Sequence, residues 1–347
     1  MTDLPSRKEL SSVVQKAAQD EGITERRLRR WVAVGALIEL FNIARSRGQL
    51  PTFLVKGGFA LELRFRSLAR SSRDVDVVLG TEKPDLVDAV IEAIRTPWSG
   101  FTFRIKGAVQ EREHSYRISV NALYLSADWS TFEVELVVGD VDRADMLEPY
   151  GIDAFGLMRP SEVPCLNASE QIAQKLHAVT DPAEDRPRDL VDIFLLDSQL
   201  DHDDDTLRTA VEAIFQKRGT HTWPPSIELR DGWRRAIEEL LRRNEIDLAV
   251  EHIVDGVHAL VLRLLGVSLK MNYRYHLLVL SALDHVPNAL ESAIAVDEGQ
   301  RTLQRMTENE GWRLAHLLDY PSRDRTRAML AVLEKPGEGA QSAVGSG

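Results

Sequence analysis

The chain has 347 residues, of which 44% are hydrophobic and 28% are charged, and 54 acidic against 43 basic residues give a formal net charge of -11. This composition is that of a globular protein of about two domains, and it excludes collagen-like, disordered and coiled-coil proteins. The single cysteine, Cys165, excludes an intrachain disulfide framework, and the acidic total argues against a protein coated with basic charge for DNA.

The N-terminal residues are polar and run directly into a helical pattern, without the apolar core of a signal peptide. No apolar run approaches the roughly 20 residues that span a bilayer, so we expect a cytoplasmic protein with no membrane segment. Between Leu10 and Gln49 the apolar spacing predicts two helices separated near Gly22, with Thr24 capping the second. That helix carries a basic run, Arg26, Arg27, Arg29 and Arg30. We interpret the run as a solvated face; contact with RNA phosphates is the alternative.

The following segment alternates strands with short helices. Thr52 to Val55 predicts a strand that runs into Gly57-Gly58 and a short helix, and Val75 to Leu79 predicts a second strand. Pro84 to Arg95 has helical spacing. Three more strands are predicted by alternation at Phe101 to Lys106, Tyr116 to Tyr124 and Phe132 to Val138.

A stretch rich in proline and glycine, Gly139 to Pro164, predicts loops and a domain boundary. Beyond it strand signals almost vanish. Helical periods are predicted at 168–179, 187–196, 205–217, 233–243, 247–265 and 320–334. We therefore expect an α/β (α+β) protein with a first domain at 1–160, a mainly helical domain at 161–334 that completes a cleft, and a disordered tail at 335–347.

The two aspartates that open the second strand indicate a metal site. Asp74 and Asp76 are two residues apart, so both carboxylates lie on one face of the strand. Such a pair suits Mg²⁺, which prefers a few carboxylates together with substrate phosphates. Upstream, Gly57-Gly58 lies where a strand becomes a helix, so backbone N–H groups and the positive helix end can hold polyphosphate.

Two-metal transfer to a nucleotide phosphate requires a further acid close to the first two. Glu133 and Glu135 share one face of the third of these strands, and periodicity does not separate them. Simple exposure of both to water is the alternative. His114, His177, His252 and His258 show no metal-ligand spacing with a carboxylate cluster, and we interpret them as surface or packed side chains.

Three blocks of sequence resemble one known family. They are Gly57-Gly58 with Ala60-Leu61-x-Leu63-Arg64, then Arg73-Asp74-x-Asp76, and then the segments Ala168 to Val179 and Arg186 to Ile193. Together they are similar to the AbiEii/AbiGii-type nucleotidyltransferase toxins, a branch of the DNA polymerase β-like nucleotidyltransferases. The resemblance covers roughly Phe53 to Leu196.

The resemblance implies a polymerase β-like core with a small mixed sheet, followed by a mainly helical domain. It implies that Asp74 and Asp76 are catalytic and hold the metal (Mg²⁺ or Mn²⁺) that carries the NTP, and that Glu135 is the third acidic ligand. Lys175 would contact triphosphate, and Asp189 would support that lysine or the site. The expected nucleotide- and phosphate-binding residues are Lys56, Gly57, Gly58, Ser72, Arg73 and Lys175. Phe59 stands where related sequences often have Ser or Thr, so backbone groups must bind that phosphate.

From the residues themselves, Lys175 offers a point charge for polyphosphate on a stem that shares a helix stripe with Ile172 and Val179. An ordinary exposed lysine is the alternative. Asp189 and Asp192 share a helix face, and Asp189 follows Pro187 in a first turn, where it favours the helix dipole in any case.

The expected activity is transfer of a nucleoside monophosphate from NTP to an acceptor hydroxyl, and the resemblance implies that the acceptor is RNA, at the 3′ end of tRNA, with blocked translation and growth arrest as the result. The resemblance also implies a toxin-antitoxin system and a cognate AbiEi-like antitoxin. Two alternatives stay open: a kinase-like or protein-AMPylating enzyme using the same acids, and a non-catalytic binding module.

Overall fold

The computed structural model describes residues 4–80, 86–113 and 115–265. The helix predicted at 320–334 and the tail predicted at 335–347 lie outside these residues. The chain divides into two compact units, Met1–Gln171 and Ile172–Gly347. The division falls inside a helix, whereas the sequence-based boundary at 160/161 lies in the preceding loop.

Unit 1 begins with two helices and continues into a sheet. Ser6 and Glu9 form a capping box at the start of the first helix, and Thr24 caps the second as predicted. The elements are α1 (Arg7–Asp20), α2 (Glu25–Ser46), β1 (Phe53–Lys56), α3 (Gly57–Phe65), β2 (Asp74–Leu79), α4 (Leu86–Arg95), β3 (Phe101–Ile105), β4 (Gln110–Glu111), β5 (Tyr116–Tyr124) and β6 (Ala127–Val138).

Two further strands lie in the segment predicted to be loops, so that prediction was wrong for them. They are β7 (Ala144–Leu147) and β8 (Val163–Leu166). Each has only four residues, and β8 contains Pro164, which cannot donate to a strand ladder and therefore hides the strand signal. Cys165 of β8 is fully buried, and burial raises the pKa of its thiol to about 12.

The sheet of unit 1 has the strand order β3-β5-β6-β2-β1-β8-β7. β2 pairs parallel with β6 and β1 pairs parallel with β8, while the remaining pairs are antiparallel. This confirms the predicted mixed sheet. One face, including Val55, Val77 and Leu136, packs with α1, α2 and α4 in the main core. In the described ranges, the other face carries a small apolar cluster around Leu54 and Val78 together with polar side chains.

Within the described residues, unit 2 is helical. Its elements are α5 (Ala168–Thr180, which begins in unit 1), α6 (Pro187–Gln199), α7 (Asp204–Arg218), α8 (Trp233–Arg243) and α9 (Val250–Leu264). These match the five predicted helices in this range. α6 packs against α8 and α9, and α7 packs against α9. None of the helices in the described ranges is long and apolar enough to span a bilayer.

Candidate active site

Four carboxylates occupy one end of the open sheet face. In the parallel pairing of β2 with β6, Asp74 lies opposite Glu133 and Asp76 lies opposite Glu135. Neighbouring strands are about 4.8 Å apart, so side chains from paired positions are close neighbours. The intervening Val75 is fully buried, while both aspartates are partly exposed. The period-two spacing therefore does place Asp74 and Asp76 on the same, solvent-accessible face.

The glycine turn between β1 and α3 contacts this group of acids directly. Gly57 has a φ of +67°, and a Cβ atom at this position would lie 1.8 Å from Oδ2 of Asp76. The Asp76 carboxylate thus rests on the bare Cα of Gly57. At Gly58 a Cβ would lie 2.7 Å from the Ser72 hydroxyl oxygen. Both glycines are therefore required by close packing against the strand that carries the acids.

The first turn of α3 has N–H groups that no side chain caps. Lys56 is the N-cap residue, and its side chain makes no capping hydrogen bond. Lys56 lies opposite Asp76 in the pairing of β1 with β2, so it projects from the same face as the acids. Phe59 is buried in the core and offers nothing to this surface. The turn thus combines a helix N-terminus and a lysine beside four carboxylates.

Ser72 and Arg73, predicted to bind phosphate, differ in their surroundings. Ser72 is buried, and its hydroxyl donates a hydrogen bond of 3.1 Å to the main-chain carbonyl oxygen of Asp74. Arg73 is exposed. The geometry of Ser72 fixes the start of β2 against Gly58.

The two glutamates of β6 differ in what they contact. Glu135 accepts hydrogen bonds from Arg117 (3.0 Å) and Ser115 (2.9 Å). Partial burial acts to raise the pKa of Glu135, but these hydrogen bonds outweigh it and the net pKa is lowered. Glu133 makes no side-chain hydrogen bond to any other residue in the described ranges. The hydrogen bond that Arg117 donates to Glu135, together with the nearby charges of Asp74, Glu135 and Glu133, raises the pKa of Arg117 despite partial burial.

A polar network that the sequence did not indicate supports the glycine turn from behind. The buried Gln171 donates a 2.8 Å hydrogen bond to the carbonyl oxygen of Gly57. At the start of α5, Asp145 accepts hydrogen bonds from Arg64 (2.7 Å), from Asn167 (2.8 Å) and from the backbone N–H of Ala168 (3.1 Å). Asp145 lies on β7, and because that strand was predicted as a loop, its role at the start of α5 could not be anticipated.

The basic run of α2 proves to be partly internal, so neither sequence interpretation holds for Arg27 and Arg30. Both are buried and form ion pairs with Glu62 of α3, whose side chain is fully buried. Arg27 also donates to the carbonyl oxygens of Arg66 (3.0 Å) and Ala69 (2.5 Å). Arg30 donates to the Ser71 hydroxyl oxygen at 2.9 Å. These contacts fix the segment that leads into β2. Sequence periodicity treats arginine as an exposed residue, so it could not predict that Arg27 and Arg30 are buried.

In unit 2, Lys175 lies in a buried ion cluster. Its ammonium donates to Asp189 (2.7 Å) and to Asp192 (2.6 Å), and all three residues are less than a tenth exposed. The interpretation of Lys175 as an ordinary exposed lysine is therefore wrong. The predicted shared face of Asp189 and Asp192 is the face that meets this lysine. Two carboxylates around one ammonium leave the cluster with a formal charge of -1.

A second group in unit 2 has metal-ligand residue types. His177, Asp181 and His221 place ligand atoms within 4.8 Å of one another. The Thr220 hydroxyl oxygen already lies among them, 2.7 Å from Asp181 Oδ2, 3.2 Å from His177 Nε2 and 3.0 Å from His221 Nδ1. Burial, Arg218 and His221 lower the pKa of His177 to about 4. Arg218 donates a hydrogen bond to His177 Nδ1, so the proton of the neutral ring is on Nε2. Neither ring nitrogen of His177 then offers a free lone pair to a metal. The group is a closed hydrogen-bond network.

A mixed sheet with paired acids on one strand, reached through a strand, a glycine turn and a helix, defines the class of nucleotidyltransferases. Residues 40–258 match the family model described as nucleotidyl transferase AbiEii toxin, Type IV TA system. The chain therefore belongs to the AbiEii nucleotidyltransferase toxin family of type IV toxin-antitoxin systems.

Two of the solved structures that are similar to this chain are the following. MenT4, a nucleotidyltransferase toxin from Mycobacterium tuberculosis H37Rv, has a TM-score of 0.52 and 18% identity, covering 94% of this chain and 99% of that one. JHP933 from Helicobacter pylori has a TM-score of 0.40 and 16% identity, covering 77% of this chain and 99% of that one. At such identity the first match shows a shared fold. No curated protein matches the chain.

Proposed function

We propose that this toxin transfers a nucleoside monophosphate from an NTP to the 3′ hydroxyl of an RNA, with tRNA as the proposed acceptor, and thereby blocks translation. The observation that carries the proposal is the contact of Asp76 with the Gly57 turn, beside Asp74 and the two glutamates of β6. This contact brings acids suited to a metal next to backbone donors suited to phosphate. Such substrates place the proposed reaction in the cytoplasm.

The residues on the open face fit a divalent metal. Asp74 and Glu133 are neighbouring carboxylates whose side chains make no hydrogen bond or ion pair in the described ranges, and carboxylate oxygens are the donors that Mg²⁺ and Mn²⁺ take. Asp74 and Asp76 would hold the ion, with one glutamate of β6. When bound, the metal would neutralise charge on the triphosphate. The resemblance assigned the third position to Glu135. Glu133 fits better, because Arg117 is hydrogen-bonded to Glu135 and a metal bound to Glu133 need not displace it.

The chain's own groups position the donor nucleotide. Uncapped N–H groups in the first turn of α3 and the ammonium of Lys56 would bind phosphate oxygens, and the exposed Arg73 would add charge. Gln171 and Ser72 hold the turn and β2 in register from behind. In the transfer, the acceptor hydroxyl loses its proton to solvent, the bond from its oxygen to the α-phosphorus forms, the α–β phosphoanhydride bond breaks, and pyrophosphate leaves. Positioning and electrostatics would supply most of the catalysis.

Lys175 remains a proposed triphosphate contact on the family resemblance. Its two short hydrogen bonds to buried aspartates favour a structural role in unit 2, because its charge is already offset. The type IV family implies an antitoxin, and we propose an AbiEi-like protein as that partner.

The decisive experiment determines which phosphate of the NTP is transferred and to which acceptor. The full chain is incubated with total RNA, with protein extract, and with each α- or γ-³²P-labelled NTP in the presence of Mg²⁺ or Mn²⁺. We expect α label on small RNA from the wild type and at least a hundredfold less from Asp74→Asn and Asp76→Asn. Asp88→Asn, an exposed acid on α4, is the control and should transfer like the wild type. Label from the γ position on any acceptor indicates a kinase, and α label on protein indicates AMPylation. In a separate test, the wild type and both variants are expressed in cells. Equal growth arrest by all three indicates a binding module.

A further inference from the structure

The polar face of the sheet continues beyond the acids to its outer edge. Ser119 lies opposite Glu133, and Arg117 lies opposite Glu135, in the pairing of β5 with β6. On the next strand Arg104 lies opposite Asn121, and the backbone N–H of Lys106 donates to the carbonyl oxygen of Ser119. Because alternate residues share a face, a single row runs from Asp74 through Glu133 and Ser119 toward Lys106.

This edge ends in three exposed cations, Arg104, Lys106 and Arg112, here called the basic rim. Arg112 is in the hairpin between β4 and β5, where its backbone N–H donates to the carbonyl oxygen of Ser115, whose hydroxyl in turn donates to Glu135, so Arg112 lies beside the acids. None of the three forms an ion pair or side-chain hydrogen bond with a residue of the described ranges. Some exposed arginines elsewhere, Arg95 and Arg159 among them, pair with neighbouring glutamates.

We propose that the basic rim binds the phosphates of the acceptor RNA as its 3′ end crosses the open face toward Asp74. The inference rests on the proposed function and assigns that acceptor a surface. Three strand spacings separate Lys106 from Asp74, about 14 Å, so the rim lies beyond the acids where the metal and the triphosphate would bind. In a chain with a formal charge of -11, cations left unpaired beside an active site are complementary to a polyanion.

The polar side chains between the rim and the acids are compatible with a nucleic acid strand. Ser119, Asn121 and Thr131 share the open face, and Asn121 is hydrogen-bonded to Thr131 (3.0 Å) and Asp128 (2.7 Å). They form a short polar floor with no large apolar side chain, which suits a solvated phosphate backbone better than a protein partner.

The test compares two variants of equal charge. The rim variant is Arg104→Gln/Lys106→Gln/Arg112→Gln. The control is Lys8→Gln/Lys16→Gln/Arg47→Gln, which removes three exposed cations from α1 and the end of α2, the helices that cover the opposite face. Binding of a fluorescein-labelled tRNA transcript is followed by anisotropy over a range of salt concentrations, and transfer of α-labelled NTP is measured at varied tRNA and varied NTP. Thermal unfolding confirms that both variants are folded.

We expect the rim variant to bind the transcript at least tenfold more weakly than the wild type, with the slope of log K against log salt reduced by about 2. Its KM for tRNA should rise while kcat at saturating tRNA and KM for NTP stay near the wild-type values. The control should bind like the wild type. Wild-type affinity and KM in the rim variant, with the wild type labelling RNA, would overturn this inference alone. If the wild type labels protein instead of RNA, the proposed function fails and the inference fails with it. Selective loss of antitoxin binding with unchanged RNA binding would assign the rim to the protein partner and overturn the inference.

Discussion

The acids of the sheet and the buried ion clusters use charge in opposite ways. On the open face, Asp74, Asp76 and Glu133 are partly exposed like charges at neighbouring positions. In the clusters, Glu62 is matched by two arginines, and Lys175 is matched by two aspartates, all of them buried. Paired opposite charges offset each other within the protein, whereas neighbouring carboxylates repel one another and suit a bound cation. The comparison distinguishes charges that pair inside the fold from the carboxylates that we propose as metal ligands.

The largest expected effect on stability is at Lys175. Lys175→Met would leave Asp189 and Asp192 buried without their cation, so we expect the free energy of unfolding to fall by about 3–5 kcal/mol, measured by urea denaturation. Lys16→Met, an exposed lysine on α1, should change it by less than about 0.5 kcal/mol. Lys175→Met/Asp189→Asn/Asp192→Asn should regain part of the loss. If Lys175→Met unfolds like the wild type but has a raised KM for NTP, the lysine belongs with the substrate-binding groups.

The sequence predicts the region that carries the acids better than it predicts the buried ion clusters. The acid pair, the glycine turn and the strands around them are local patterns, so their periodicity predicts both the elements and the face that the carboxylates share. The Arg27–Glu62 pair joins residues 35 positions apart, and the contact of Gln171 with Gly57 joins residues 114 apart. Contacts between such distant positions follow from packing, which no single-chain pattern contains. β7 and β8 were missed because each has only four residues, and Pro164 further hides the pattern of β8.

A smaller effect tests which glutamate of β6 belongs with the acids. Glu133→Gln should lower kcat by about a hundredfold, because Glu133 has no described protein donor and is proposed as a metal ligand. Glu135→Gln should lower kcat by less than about tenfold, because a glutamine can still accept hydrogen bonds from Arg117 and Ser115. Mn²⁺ binding by isothermal titration calorimetry should weaken for Glu133→Gln more than for Glu135→Gln. The reverse order would return the third position to Glu135.

The smallest expected effect is at Gly57, where it distinguishes the cost of a strained backbone from the loss of the contact with Asp76. Gly57→Ala and Gly22→Ala both place alanine at a positive φ, +67° and +65°, so both should lose about 1–2 kcal/mol of stability. Only at position 57 does the added Cβ meet a carboxylate, whereas at position 22 nothing lies within 4 Å. Gly57→Ala must therefore rotate Asp76 away, and we expect it alone to reduce NMP transfer by about tenfold. Equal transfer by the two variants, measured with α-labelled NTP after matching for folded fraction, would mean that the position of the Asp76 carboxylate against the turn does not matter for the reaction.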